Sequence, residues 1–148
     1  MGYASGVGRE APPFLLKDVQ GNEISLAGYR GDWYVVVAFL PARDGINESL
    51  AALDATTEEL WGLRAQIVGV VVGDPADVDS RTKTADRVAF PVLADDGTLA
   101  RMYGIGRAGS AHKTVVIIDR AGKIVHTADD AHCLVAEKLT SELRRVVR

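Results

Sequence analysis

The chain carries a single cysteine, Cys133, directly after His132. A thiolate is the side chain best suited to nucleophilic and redox chemistry, and a helix N-terminus or a nearby imidazolium lowers its pKa from the usual value of about 8.5. Here the influences compete. His132 and the start of a predicted helix favour the thiolate, while Asp129 and Asp130 oppose it. A lone cysteine excludes an internal disulfide and every CxxC motif, so its redox chemistry reduces to a free thiol or an intermolecular bond. Three readings of Cys133 stay open on the residues alone: an intermolecular disulfide, a redox-sensing thiol, or a cysteine with no chemistry of its own. On a helical wheel it falls with Glu137, Thr140 and Arg144 and apart from Leu139 and Leu143, which predicts partial exposure.

The stretch from His126 to Cys133 also gathers metal-ligand types, with His126, Asp129, Asp130 and His132 as candidates, and this donor set suits zinc better than magnesium. The spacing matches no standard zinc site. His126 lies on a predicted strand and His132 at a predicted helix start, so the intervening turn would have to bring the two rings together. No metal is assigned, and no cofactor is expected. His112, beside Lys113, could offer a hydrogen bond or ligand contact at the base of the next strand.

The scaffold holding these residues is read from length and pattern. The 148 residues, 47% hydrophobic and 25% charged, match one globular domain able to bury a core. A net charge of -3 supplies no basic stripe for phosphates, which argues against nucleic acid as a partner. Met1 to Glu10 has neither a positive start nor an apolar run, and no later run is long enough for a bilayer, so a cytoplasmic address and no membrane association are expected.

Phe14–Lys17 and Glu23–Leu26 read as a short ribbon around a turn containing Gly21 and Asn22. Tyr34–Leu40 is a continuous β-branched and aromatic run, which predicts a central parallel strand buried on both faces. Pro41 ends it. A loop leads to a helix from about Glu48 to Arg64, capped by Asn47 or Asp44, with Leu50, Leu53, Leu60, Trp61 and Leu63 as its apolar stripe. Gln66–Val72 is a second buried strand, joined to the first by a βαβ crossover. A short helix at Asp77–Arg87, an edge strand at Phe90–Ala94 and a helix at Gly97–Tyr103 stopped by Gly104 follow. Thr114–Asp119 and Lys123–Thr127 form a hairpin around Gly122, and a helix from His132 to Val147 closes the chain. Its Ala136, Leu139, Leu143 and Val146 share the buried face, leaving Lys138, Arg144 and Arg145 to solvent. This order is that of a thioredoxin-like α/β fold, a central mixed sheet flanked by helices, with an N-terminal β-ribbon extension.

The wording resembles the peroxiredoxin family of alkyl hydroperoxide reductases and thiol-specific antioxidants. The phrases that carry it are APPFLLKDVQGNEISLAGYRGDWYVVVAFLPA from Ala11, then FPVLADDGTLARMYGI, then KTVVIIDRAGKI. The resemblance spans about Gly8 to Val125. It implies a PxxxTxxC motif after the first central strand, whose Cys attacks peroxide while the Thr and a distant Arg orient the substrate. In this chain the motif's Pro is Pro41, the Thr position falls on Gly45, the Cys position on Glu48, and the Arg position on Lys113. Aligning instead on Leu50 and Leu53 moves the Cys position to Ile46 or Asn47, and Ser49 stands one residue too late. No alignment supplies a thiol.

Peroxide reduction needs a nucleophile that can be oxidised to a sulfenic acid, which a carboxylate cannot be. Lysine in place of arginine keeps the charge but loses the planar fork. Glu48 and Lys113 are expected to face each other across the former pocket as an ion pair. The expected function is a degenerate member acting by binding or association, through a homodimer, a protein partner or a small ligand in the former peroxide pocket. The alternative is an antioxidant oxidoreductase working through Cys133 or a partner's thiol, and some family members do carry a resolving cysteine near the C-terminus.

Overall fold

The apolar run after Trp33 leaves no polar face to turn toward water, and it becomes the middle strand of a five-stranded sheet. In the computed structural model the structure describes residues 7–42, 45–74, 76, 88–105, 113–128 and 136–147. In chain order the elements are β1 (Leu15–Lys17), β2 (Glu23–Ser25), β3 (Tyr34–Pro41), α1 (Ile46–Asp54), α2 (Thr57–Gly62), β4 (Ala65–Val72), β5 (Val92–Asp95), α3 (Thr98–Met102), β6 (Thr114–Ile118), β7 (Ile124–Ala128) and α4 (Ala136–Val146). The sheet order is β5-β4-β3-β6-β7. β3 pairs in parallel with β4 and antiparallel with β6, so the sheet is mixed, as expected.

The two faces of β3 feed two separate apolar layers. Val36, Ala38 and Leu40 pack beneath Ile46, Leu50 and Leu53 of α1, Leu60 of α2, and Leu139 and Leu143 of α4. Val35, Val37 and Phe39 pack with Phe14, Leu26, Leu99, Tyr103 and Ile105 on the other side. The Phe39 and Tyr103 rings lie 5.5 Å apart, and the Tyr103 hydroxyl donates to the Pro12 carbonyl at 2.7 Å. Burial pushes this phenol well above its usual pKa.

The N-terminal ribbon is a strap rather than an appendage. Ala11 N–H donates to Gly122 O at 2.8 Å beside β7, and Val19 N–H donates to Val92 O at 2.8 Å on β5, so the strap reaches both outer strands. Its turn is built by Asp18, whose Oδ1 accepts from Gln20 N and Asn22 N. Asp119 repeats the device between β6 and β7, accepting from Ala121 N and Lys123 N. Gly122 has φ +87°, a conformation that favours glycine, and a Cβ there would also displace the Arg30 guanidinium packed against it.

Several expectations are corrected. The long helix after β3 is two helices. Thr56, 1% exposed, donates its hydroxyl to Leu53 O at 2.7 Å and takes a carbonyl from the ladder, and the chain restarts at Thr57. α1 begins at Ile46 behind Gly45, with no side-chain cap, so Asn47 lies inside the helix. Trp61 is 45% exposed and not part of the stripe. Pro41 extends β3 by one residue, opposite Val72, where the missing N–H costs nothing at the strand's end. In α4 Leu139 and Leu143 are buried as expected, but Thr140 is buried too, with its hydroxyl unpartnered among the described residues, and Lys138 is half-buried. Of the positions grouped with Cys133 on the helical wheel, Thr140 is buried and Arg144 is exposed, and Cys133 itself lies outside the described residues. The predicted helix at 77–87, the Asp44 cap and the first turn of the closing helix lie outside the described residues.

Candidate functional site

Topology brings the family-motif positions to one end of the sheet. Pro41 ends β3, Gly45 precedes α1, and Glu48 lies in the first turn of that helix. β6 runs antiparallel to β3 with Thr114 opposite Phe39, so Lys113, just before it, stands at the same end. Pro41 is half-buried; Gly45, Glu48 and Lys113 are exposed.

The backbone at this end differs from a helix opening that a threonine could occupy. Gly45 sits at φ +94°, ψ -5°, and its carbonyl accepts from Ser49 N at 3.0 Å. A Cβ there would meet nothing within 4 Å, so conformation and not space forbids a side chain. Gly45→Thr is expected to destabilise the fold by about 1–2 kcal/mol, since a β-branched residue resists the left-handed region. Urea unfolding measures this, and an unchanged midpoint would mean that the chain does not hold this conformation in solution.

Glu48 and Lys113 do not pair with each other among the described residues, which corrects the expected bridge across the pocket. Both residues are exposed, where an ion pair gains little. The neighbouring positions offer no alternative nucleophile. Ile46 is 4% exposed and packs in the core, and Ser49 is 5% exposed on the same side of α1.

Of the metal candidates only His126 is described. Its Nδ1 lies 3.5 Å from Glu142 Oε2, and that oxygen also meets Arg145 Nη1 at 2.9 Å, which ties β7 to α4. Among the described residues no group of three His, Cys, Asp or Glu side chains could hold a metal. Asp129, Asp130, His132, Cys133 and His112 lie outside the described residues.

A feature missed in the sequence is the Asp95-Asp96 pair at the end of β5. Asp95, 6% exposed, accepts from Leu99 N at 2.9 Å on one oxygen and Ala100 N at 3.0 Å on the other. Asp96 Oδ1 accepts from Thr98 N and from the Thr98 hydroxyl, and these bonds hold its carboxyl below the usual range. Two aspartates before Gly97-Thr98 are a helix-start signal that was legible in the sequence.

Comparison with known proteins follows the fold. The AhpC/TSA family model matches residues 7–127. Alkyl hydroperoxide reductase E of Mycobacterium bovis is 31% identical over 125 residues, covering 80% of this chain and 81% of its own length. Two crystal structures share the fold. Reduced 2-Cys peroxiredoxin of Plasmodium vivax superposes with a TM-score of 0.78 at 19% identity, over 94% of this chain and 80% of that one. Peroxidoxin BcpB of Mycobacterium tuberculosis superposes with a TM-score of 0.75 at 23% identity, over 95% and 97%. A thioredoxin-like mixed sheet, the strap over its face and the matched span together make this chain a member of the AhpC/TSA family of peroxiredoxins.

Proposed function

We propose that this chain is a single peroxiredoxin-type domain without thiol peroxidase activity at the family's site, acting by binding or association. The observation that carries the reading is the set Gly45, Glu48 and Lys113 standing where the family's Thr, Cys and Arg are expected, around Pro41. A glutamate at the start of α1 gains from the helix dipole as a thiolate would, by roughly 0.3–1 kcal/mol, but it has no sulfur to accept an oxygen atom from a peroxide. The conformation of Gly45 supports the reading, because restoring the motif's threonine would work against the local backbone. A homodimer and a cytoplasmic address belong to the same proposal; among the described residues no helix is long and apolar enough to cross a membrane.

The second reading, an antioxidant oxidoreductase using Cys133 or a partner's thiol, draws support from the family and from a relative named as an alkyl hydroperoxide reductase. One experiment separates the two. Prereduced protein is mixed with hydrogen peroxide and with an organic hydroperoxide, and peroxide loss and intact mass are followed beside a metal-stripped Cys133→Ser variant. Consumption no faster than that of a free thiol is the expected result. Rapid consumption with a sulfenic or disulfide mass shift, lost in Cys133→Ser, would overturn the proposal and make Cys133 a relocated redox centre.

A further inference from the structure

The strap and the outer strand of the sheet separate just above their last point of contact. Asp18 bridges Leu93 antiparallel, and extending that register would set Lys17 against Ala94 and Leu16 against Asp95. The pairing instead stops at the bridge, while β1 forms its ladder with β2. The wedge that opens is a cavity of about 520 Å³, with Leu15 and Leu16 on the strap side and Ala94, Leu99 and Met102 on the side of β5 and α3. That volume lies inside the range of about 300–1,000 Å³ common to small-molecule sites. Leu15 at 63% and Met102 at 51% exposure remain open to solvent, so an apolar occupant would remove water from both.

Charge decides what kind of molecule fits. Among the described residues the lining holds two carboxylates, Asp95 and Asp96, and no basic side chain. Both Asp95 oxygens are engaged by the amides of α3, whereas Asp96 uses only Oδ1 and keeps Oδ2 without a hydrogen bond among the described residues. The two hydrogen bonds from Thr98, and to a lesser degree the charge of Arg101, favour the ionised form of Asp96. We propose that this cavity binds a small molecule with an apolar body and one amine head, the ammonium meeting Asp96 Oδ2 and the body lying along Leu16, Leu99 and Met102. A second copy of the chain docked about a two-fold axis would bring the same carboxylates toward one another, so the surface disfavours that occupant. The cavity lining contains none of Pro41, Gly45, Glu48 or Lys113.

The test titrates the full, isotope-labelled chain with 1-naphthylmethylamine, 1-naphthoate and 1-naphthalenemethanol while amide signals are followed. Saturable shifts at Leu16, Ala94 and Thr98 are expected with the amine, which should bind about fivefold more tightly than the alcohol, as a solvent-accessible ion pair allows. The carboxylate should bind more weakly than either. Asp96→Asn should remove the amine's advantage and leave the alcohol unchanged, and Ala94→Leu, at an exposed position on the cavity wall, should weaken all three. Equal affinity for the three probes, or no saturable shift with the amine, would overturn the proposal. So would a sedimentation dimer that Leu15→Ser dissociates, since the groove would then belong to a second copy.

Discussion

Leu50→Ala is expected to lower the free energy of unfolding by about 2–5 kcal/mol, the cost of deleting a fully buried leucine and leaving a cavity behind. Leu50 is 0% exposed in the layer formed by α1, α2 and α4 against Val36, Ala38 and Leu40. Helix and strand there are both held by the surrounding chain, so the walls have little freedom to collapse into the gap. The loss is also a large part of a total stability of about 5–15 kcal/mol for an ordinary domain. Urea unfolding measures it, with Trp61→Ala on the neighbouring helix as the comparison. Trp61 is 45% exposed, and its truncation is expected to cost under about 1 kcal/mol despite the larger side chain. Similar losses in the two variants would contradict the placement of the stripe on α1 and the exclusion of Trp61 from it.

Asp95→Ala is the second large effect, expected at about 2–3 kcal/mol. The buried carboxylate accepts two amide hydrogens from the first turn of α3, one on each oxygen. Alanine leaves both donors without an acceptor in a place water reaches poorly, and hydrogen bonds to charged groups are the stronger kind. Asp95→Asn keeps one acceptor oxygen and should lose about half as much. Hydrogen exchange at Leu99 and Ala100 reads the cause directly. Both amides should exchange faster in Asp95→Ala, and unchanged exchange would show that another group satisfies them. Because Leu99 and Ala100 pack in the layer with Phe39, loosening α3 also loosens the face of the sheet that the strap covers.

How much of the fold was legible follows from which physical signal each segment carried. The run Tyr34–Leu40 could be placed as a central strand because continuous β-branched residues tolerate no wet face, and its register with β4 and β6 agrees. The hairpin at Gly122 was readable because a left-handed turn leaves few choices of residue. The break between α1 and α2 was hidden, since Leu50, Leu53 and Leu60 keep a helical period across it and the interruption comes from one hydroxyl at Thr56 turning back on Leu53 O. Trp61 looked like core for the same reason: periodicity ranks positions as if the helix were continuous, whereas the chain restarts at Thr57 and leaves Trp61 45% exposed.

At the candidate site the division is sharper. By itself the sequence established that no cysteine occupies the loop and helix start after Pro41, since residue identity needs no coordinates, and that the chain's one cysteine is Cys133. The motif words carried the family as well, because residues needed for turns, buried strands and helix starts recur wherever the same backbone must form. What only the tertiary structure decided is which of these residues meet. Glu48 and Lys113 share one end of the sheet without pairing, Gly45 adopts a left-handed backbone, and His126 turns to Glu142 on α4. The cavity beside Asp96 depends on where β1 leaves the edge of β5. Such contacts join positions far apart in the chain, and the packing of both sheet faces sets them; no local pattern of residue types records that packing.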